Sequence, residues 1–148
     1  MKAVHAILLV EDSPADIAIT RRALRESDAP VELIVVRDGQ EAMDYLLRQG
    51  SHAADAAWRV PDLILLDLNL PRLTGRDVLD RVRSTPHLRA VPVVVLTTSR
   101  RYEDVHQLYE AGANTYIEKP HDFSRFIDVL RTIQLYWLET AVLPRSGG

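Results

Sequence analysis

Cysteine is absent from the 148 residues, and with it go disulfides, thiol nucleophiles and thiolate metal sites. Long apolar runs are absent too. None approaches the roughly 20 residues needed to span a bilayer, and the N-terminus has neither a signal-peptide core nor a cleavage site. The expectation is a soluble protein of the cytoplasm with no membrane partner. Positive charge is not in excess: the formal net charge is −3 and the pI is near 5.9. The basic face that marks nucleic-acid binders is therefore missing, and no nucleic-acid partner is expected. No internal repeat or low-complexity tract breaks the chain. The segment EDSPAD, after the first apolar run, has no glycine with which to cradle a nucleotide phosphate, and its acids repel one.

What is present is one domain's worth of alternating pattern. With 47% hydrophobic and 26% charged residues, the chain fits a single domain of the usual size, about 100–150 residues. Short apolar runs lie at Ala6 to Val10, Val31 to Val36, Leu63 to Leu66, Val91 to Leu96 and Thr115 to Ile117. Runs this continuous and β-branched suit strands buried on both faces. Helical spacing lies between them. The first helix has Ser13 as N-cap, Pro14 as first residue and Asp16 in the first turn, with Ala15, Ile19 and Ala23 recurring every four residues. A second starts at Asp38-Gly39 and carries Ala42, Tyr45 and Leu46. A third opens with Thr74 and Asp77 and buries Val78, Leu79 and Val82. A fourth places Val105, Leu108, Tyr109 and Gly112 on one stripe, with Gly112 ending it in the left-handed conformation. The fifth carries Phe123, Phe126, Ile127, Leu130 and Ile133. Five βα repeats predict a parallel sheet, with right-handed crossovers and helices on both faces. The connection from Gly50 to Pro61 is long for such a loop, and the tail RSGG is expected to fray.

Ligands in such folds gather beyond the carboxyl ends of the strands. Strand 1 ends in Glu11-Asp12, strand 3 in Asp67, strand 4 in Thr97-Thr98, and strand 5 is followed by Glu118-Lys119-Pro120. The stretch LILLDLNLP thus holds Asp67 at the rim by the apolar strand behind it. Crowded carboxylates repel unless a cation sits among them. Mg²⁺ suits an all-oxygen set and keeps sites for water and a phosphate oxygen. Lys119 offers a positive charge to phosphoryl oxygens and Thr97 a hydroxyl donor. With Asp67 as nucleophile, the set meets the needs of phosphoryl transfer.

Each residue also has a plainer reading. Asp67 alone would pass for a helix cap or loop acid, and Glu11 and Asp12 favour the first helix's N-terminus through its dipole. Thr97 and Thr98 could be ordinary strand residues, Lys119 a surface lysine, and Tyr116, Trp58 and Trp137 packing residues. His5, His52, His87, His106 and His121 lack metal-ligand spacing. Arg21-Arg22 and Arg100-Arg101 read as solvated helix faces.

The motifs ILLVEDSPAD, LILLDLNLPRLTG, VPVVVLTTS and YIEKP, in this order and at fitting spacings, resemble the receiver domain of two-component response regulators over nearly the whole chain. The resemblance implies a flavodoxin-like, doubly wound α/β fold: a five-stranded parallel sheet of order 2-1-3-4-5 with five helices, in three α/β/α layers. It implies residues 1–140 as the receiver domain with an extended C-terminal helix and 141–148 as a tail. By the same resemblance, Asp67 accepts a phosphoryl group from a sensor histidine kinase, and Glu11, Asp12, Asp67 and the backbone carbonyl of Asn69 hold Mg²⁺. Thr97 and Lys119 bind the phosphoryl group, Thr97 and Tyr116 form the switch, and the Lys119–Pro120 bond is cis. Receivers act as phosphoacceptor signalling proteins that assist their own phosphorylation and dephosphorylation rather than as enzymes on a separate substrate.

The long second loop, LDLNLP, VVLTTS and the C-terminal QLYWLETAVLP are similar to the stand-alone regulators paired with phytochrome kinases. This implies a phytochrome as the kinase and a homodimer through the last helix. Leu135, Tyr136, Trp137, Leu138, Val142 and Leu143 support the dimer independently, being more apolar surface than one small sheet can cover. Thr98 stands where many receivers have a smaller residue, and Asn69 and Ser99 are uncharged at sites on which the family's hydrolysis rate depends. Two other classes fit less well. A Mg²⁺-dependent aspartyl-phosphate phosphatase would want an acid where Asn69 stands, and a pseudo-receiver interaction module would tolerate losing the rim acids.

Overall fold

Ser13, Asp38, Thr74 and Asp122 each stand at the boundary between a strand's exit loop and a helix, and each accepts a backbone N–H of the first turn that follows. These caps start the helices of four of the five βα units. The structure, a computed structural model, describes residues 4–28, 30–98 and 101–144, with Tyr102 described by its backbone alone. Ser99, Arg100 and the RSGG tail lie outside the described residues. Strands β1 (His5–Val10), β2 (Val31–Val36), β3 (Leu63–Leu66), β4 (Val93–Thr97) and β5 (Thr115–Glu118) form a parallel sheet of order β2-β1-β3-β4-β5. Between and after them run α1 (Pro14–Arg25), α2 (Gly39–Leu46), α3 (Gly75–Ser84), α4 (Tyr102–Glu110) and α5 (Phe123–Gln134). The fold class is as the sequence predicts.

Alternation along the strands divides the core into two layers. Ile7, Leu9, Leu63, Leu65, Val94 and Leu96 face α1 and α5. Leu8, Val10, Ile64, Leu66, Val93 and Val95 face α2, α3 and α4. The central strands β1, β3 and β4 are buried on both faces, so both sets of side chains are apolar. The register sets Val10 beside Leu66, Leu66 beside Val95 and Thr97 beside Glu118. Residues 11 and 67 therefore lie level, with Thr97 one step and Lys119 two steps further along their strands, all at the carboxyl edge of the sheet.

Several expected details shift. The buried stripe of α1 is Ile17, Thr20, Ala23 and Leu24, with Ala15 exposed and Ile19 only half-buried. A 3.6-residue turn rotates a strict every-fourth pattern off the contact face, and the i, i+3, i+7 set is the one that stays on the sheet. Phe123, expected in the α5 core, is exposed at the helix start, where Arg22 lies over its ring at 5.5 Å. Tyr109 is exposed as well, its hydroxyl accepting the Tyr116 N–H at 3.0 Å. Gly112 closes α4 with φ +107°, as expected. After Gln134 the helix widens into a π-helical segment, Leu135–Thr140. No peptide bond among the described residues is cis, so the Lys119–Pro120 bond is trans, which corrects the expectation. The physical reason is modest: an X–Pro bond prefers trans by about 0.5–1 kcal/mol unless its surroundings reverse that, and the trans form here already delivers Lys119 to the rim acids.

The long Gly50–Pro61 connection is pinned by packing. Trp58 Nε1 donates to the Tyr45 carbonyl at 2.7 Å, the Tyr45 hydroxyl donates to the Arg59 carbonyl at 3.1 Å, and the Arg48 guanidinium covers the Trp58 ring.

Candidate functional site: an acidic rim with one lysine

The site is built from strand ends. Asp67 follows β3 and its N–H donates to the Val10 carbonyl at 3.0 Å. Glu11 follows β1 and donates to Val36. Lys119 follows β5 and donates to the Thr97 carbonyl at 2.7 Å. Each is one residue past a strand yet still held by a neighbouring strand, which fixes where its side chain starts. Behind Asp67 the first residue of α3 is Gly75, where a Cβ would lie 2.5 Å from the Asp67 carbonyl oxygen. Only glycine lets α3 approach this closely.

Glu11, Asp67, Thr97 and Lys119 are buried, while Asp12 is exposed at the mouth. One oxygen each of Glu11, Asp12 and Asp67 lies within 4.8 Å of the others. Lys119 Nζ donates to Glu11 Oε1, to Asp16 Oδ2 at 2.9 Å and to Asp67 Oδ2 at 3.3 Å. The other Asp67 oxygen accepts the Asn69 N–H at 3.2 Å. Burial raises the Glu11 carboxyl to about 7: loss of hydration and the adjacent Asp67 carboxylate together outweigh the Lys119 hydrogen bond that lowers it. For Lys119, burial pulls downward, but hydrogen bonds to Glu11 and Asp16 and the charges of Asp67 and Glu11 outweigh it, and its ammonium is held above its ordinary value.

Thr97 Oγ1 is buried with no hydrogen-bond partner. Buried hydroxyls without a partner are rare and costly, so this one is available to a group that enters the site. Thr98 is exposed. Tyr116 is half-buried against the layer of α2, α3 and α4.

The structure therefore brings together Glu11, Asp12, Asp67, Thr97 and Lys119, all singled out from the sequence. Asn69 lies beside Asp67 through its N–H. One residue escaped the sequence reading: Asp16, which reads as a first-turn helix acid but reaches the lysine. Among the described residues no histidine joins a group of acids or histidines fit to hold a metal. The all-oxygen donor set of Glu11, Asp12 and Asp67 fits a hard divalent cation such as Mg²⁺ or Mn²⁺.

Comparison with known proteins agrees with this geometry. Residues 7–131 match the family described as the response regulator receiver domain. The chain is 44% identical over 140 residues to Response regulator Rcp1 of Synechocystis sp. (strain ATCC 27184 / PCC 6803 / Kazusa), covering 95% of this chain and 93% of Rcp1. It superposes on the phosphorylated cyanobacterial phytochrome response regulator RcpA with a TM-score of 0.91 and 46% identity, over 97% of this chain and 100% of that one. The Mn²⁺-bound form of Rcp1 matches with a TM-score of 0.90 and 42% identity, over 95% of this chain and 99% of that one. No helix among the described residues is long and apolar enough to cross a membrane.

Proposed function

The chain belongs to the response regulator receiver family, and on that premise we propose that Asp67 accepts a phosphoryl group from a phosphohistidine of a sensor histidine kinase. Residues 1–140 act as the receiver domain, and 141–148 as a tail. One observation carries the reading: Asp67 is a buried carboxylate touched by a buried ammonium, beside two further acids and a buried hydroxyl with no partner. In the transfer, an Asp67 carboxylate oxygen forms a bond to phosphorus as the phosphorus–nitrogen bond of the phosphohistidine breaks and its electron pair returns to the imidazole. Glu11, Asp12, Asp67 and the Asn69 carbonyl would hold Mg²⁺, which when bound offsets the negative charge of the acids and of the incoming group. Lys119 turns its N–H donors from carboxylate to phosphoryl oxygen. Thr97 donates its free hydroxyl to another such oxygen, and its inward pull makes room for Tyr116 to shift.

The kinase is a phytochrome in this reading. Support comes from RcpA, which is a cyanobacterial phytochrome response regulator, and from the likeness to it over its whole length. Signalling then runs in the cytoplasm through protein contacts, including a homodimer built on the C-terminal helix. The test is intact mass after incubation with acetyl phosphate and Mg²⁺. One phosphoryl group is expected on the wild type, and none on Asp67→Asn or in the presence of a chelator. Equal labelling of Asp67→Asn would overturn the assignment. No labelling by acetyl phosphate or by a purified phytochrome kinase would favour a pseudo-receiver.

A further inference from the structure

An ammonium has three protons, and at this rim all three are used. Lys119 donates to Glu11, Asp16 and Asp67, which fills its capacity. Glu11 and Asp67 also belong to the acidic group that converges with Asp12, whereas Asp16 does not. A divalent cation at that group competes with the lysine for two of its three acceptors. Asp16 is left to the lysine alone.

The helix does not explain where Asp16 points. It is the third residue of α1, and its N–H donates to the N-cap hydroxyl of Ser13 at 3.2 Å. A carboxylate at that position ordinarily reaches back to the N-cap N–H. Asp77 does so in α3, accepting the Thr74 N–H at 3.0 Å. In α1 the Ser13 N–H donates instead to Glu11 Oε2 at 3.3 Å. The Asp16 carboxylate turns across the rim to a lysine 103 positions along the chain. Same residue type, same helix position, opposite use: Asp77 serves its own helix, Asp16 serves Lys119. With its side chain a quarter exposed, Asp16 stands at the mouth of the site, outside the buried pair of Glu11 and Asp67.

We propose that Asp16 is a positioning residue for phosphoryl transfer: it keeps the Lys119 ammonium at the rim when a divalent cation occupies Glu11 and Asp67. The lysine is then in place to meet the phosphoryl oxygens instead of swinging into solvent. This rests on the reading of Asp67 as a phosphoacceptor beside a divalent cation.

Lys2 and Lys119 are the chain's two lysines, which makes the test clean. The full chain is acetylated briefly with an N-hydroxysuccinimide ester, with and without saturating Mg²⁺, and the ratio of modification at Lys119 to that at Lys2 is read by peptide mass. Calorimetry establishes Mg²⁺ binding for each protein. In the wild type the ratio is expected to be low in both conditions. In Asp16→Asn it stays low without Mg²⁺, because Glu11 and Asp67 still hold the ammonium. It rises about tenfold or more with Mg²⁺, the factor carried by losing one hydrogen bond between charged groups. Asp16→Glu restores protection, and Asp16→Ser gives the same reading as Asp16→Asn should the latter fail to fold. A ratio in Asp16→Asn that stays at the wild-type level with Mg²⁺ bound overturns the proposal. So does one that rises equally without Mg²⁺, which would make Asp16 a plain structural stitch. A wild type that binds no Mg²⁺ sinks the metal reading itself, and the proposal with it.

Discussion

At the scale of single residues, the buried Glu11 carries a pH dependence that can be derived with its sign. Its carboxyl is raised from 4.5 to about 7, chiefly by burial. Between those values the folded chain holds a proton that the unfolded chain has released. Stability linked to Glu11 therefore falls as pH rises through that window. The effect is on the order of 3 kcal/mol at most. In urea unfolding with a chelator present, the wild type is expected to lose stability from pH 5 to pH 7.5, and Glu11→Gln to flatten this loss. An unchanged slope in Glu11→Gln would place the titration elsewhere. Glu11, Asp12, Asp67, Thr97 and Lys119 were legible in the sequence because each ends or follows an apolar run, and parallel strands bring their ends to one rim. Asp16 was not, because its local pattern is that of a helix cap and only the folded chain brings residue 119 within reach. The peptide bond before Pro120 was misread because its isomer turns on a difference of about 1 kcal/mol that local sequence does not decide.

At the scale of elements, Arg83 ties α3 to two corners of the fold. Its guanidinium donates twice to the Gly112 carbonyl, at 2.9 and 2.7 Å, and to the carbonyls of Arg89 and Val91 at 2.9 and 2.7 Å. A fifth bond reaches Asn114 Oδ1 at 2.8 Å. Asn114 Oδ1 in turn accepts the Val93 N–H that opens β4. Burial lowers the Arg83 pKa, the cost of seating a charge in this corner. Arg83→Ala leaves the part-buried Gly112 and Val91 carbonyls without these donors and is expected to cost about 2–4 kcal/mol in urea unfolding. Arg83→Lys should recover little, because a single ammonium cannot reproduce the planar fork. A loss below about 0.5 kcal/mol, the range of ordinary surface changes, would show that water replaces these bonds. None of this was visible in the sequence, where Arg83 is one of many arginines on a polar face. The caps were visible: Thr74 and Asp77 form the capping box that their spacing predicts. The contact face of α1 was harder. Its apolar residues occur on more than one side, and the sheet, not the helix, selects Ile17 and Leu24 over Ala15.

At the scale of the whole molecule, the βα alternation was enough to predict a parallel sheet with right-handed crossovers and helices on both faces, while the strand order came from the resemblance to receiver domains. The C-terminal segment is where the isolated chain falls short of covering itself. Leu138 is buried, and Trp137 and Leu143 pack partly against the layer of α1 and α5. Leu135, Tyr136 and Val142 are exposed at 59%, 53% and 98%. The π-helical widening at Leu135–Thr140 changes the angular step of the helix at Leu135 and Tyr136, and Val142 lies past its end, after the extended Ala141. Large apolar side chains left together on a surface favour association, and in a twofold pair the same patch meets itself. Sedimentation equilibrium of the wild type at about tens of micromolar, a range suited to a weak interface, is expected to show a dimer, and Tyr136→Glu a monomer. Because Tyr136 is exposed in the isolated chain, that variant should keep its thermal midpoint when both proteins are diluted until monomeric. A monomeric wild type would remove the dimer from the reading. A Tyr136→Glu variant that unfolds at dilution would instead show that Tyr136 supports the fold of its own chain.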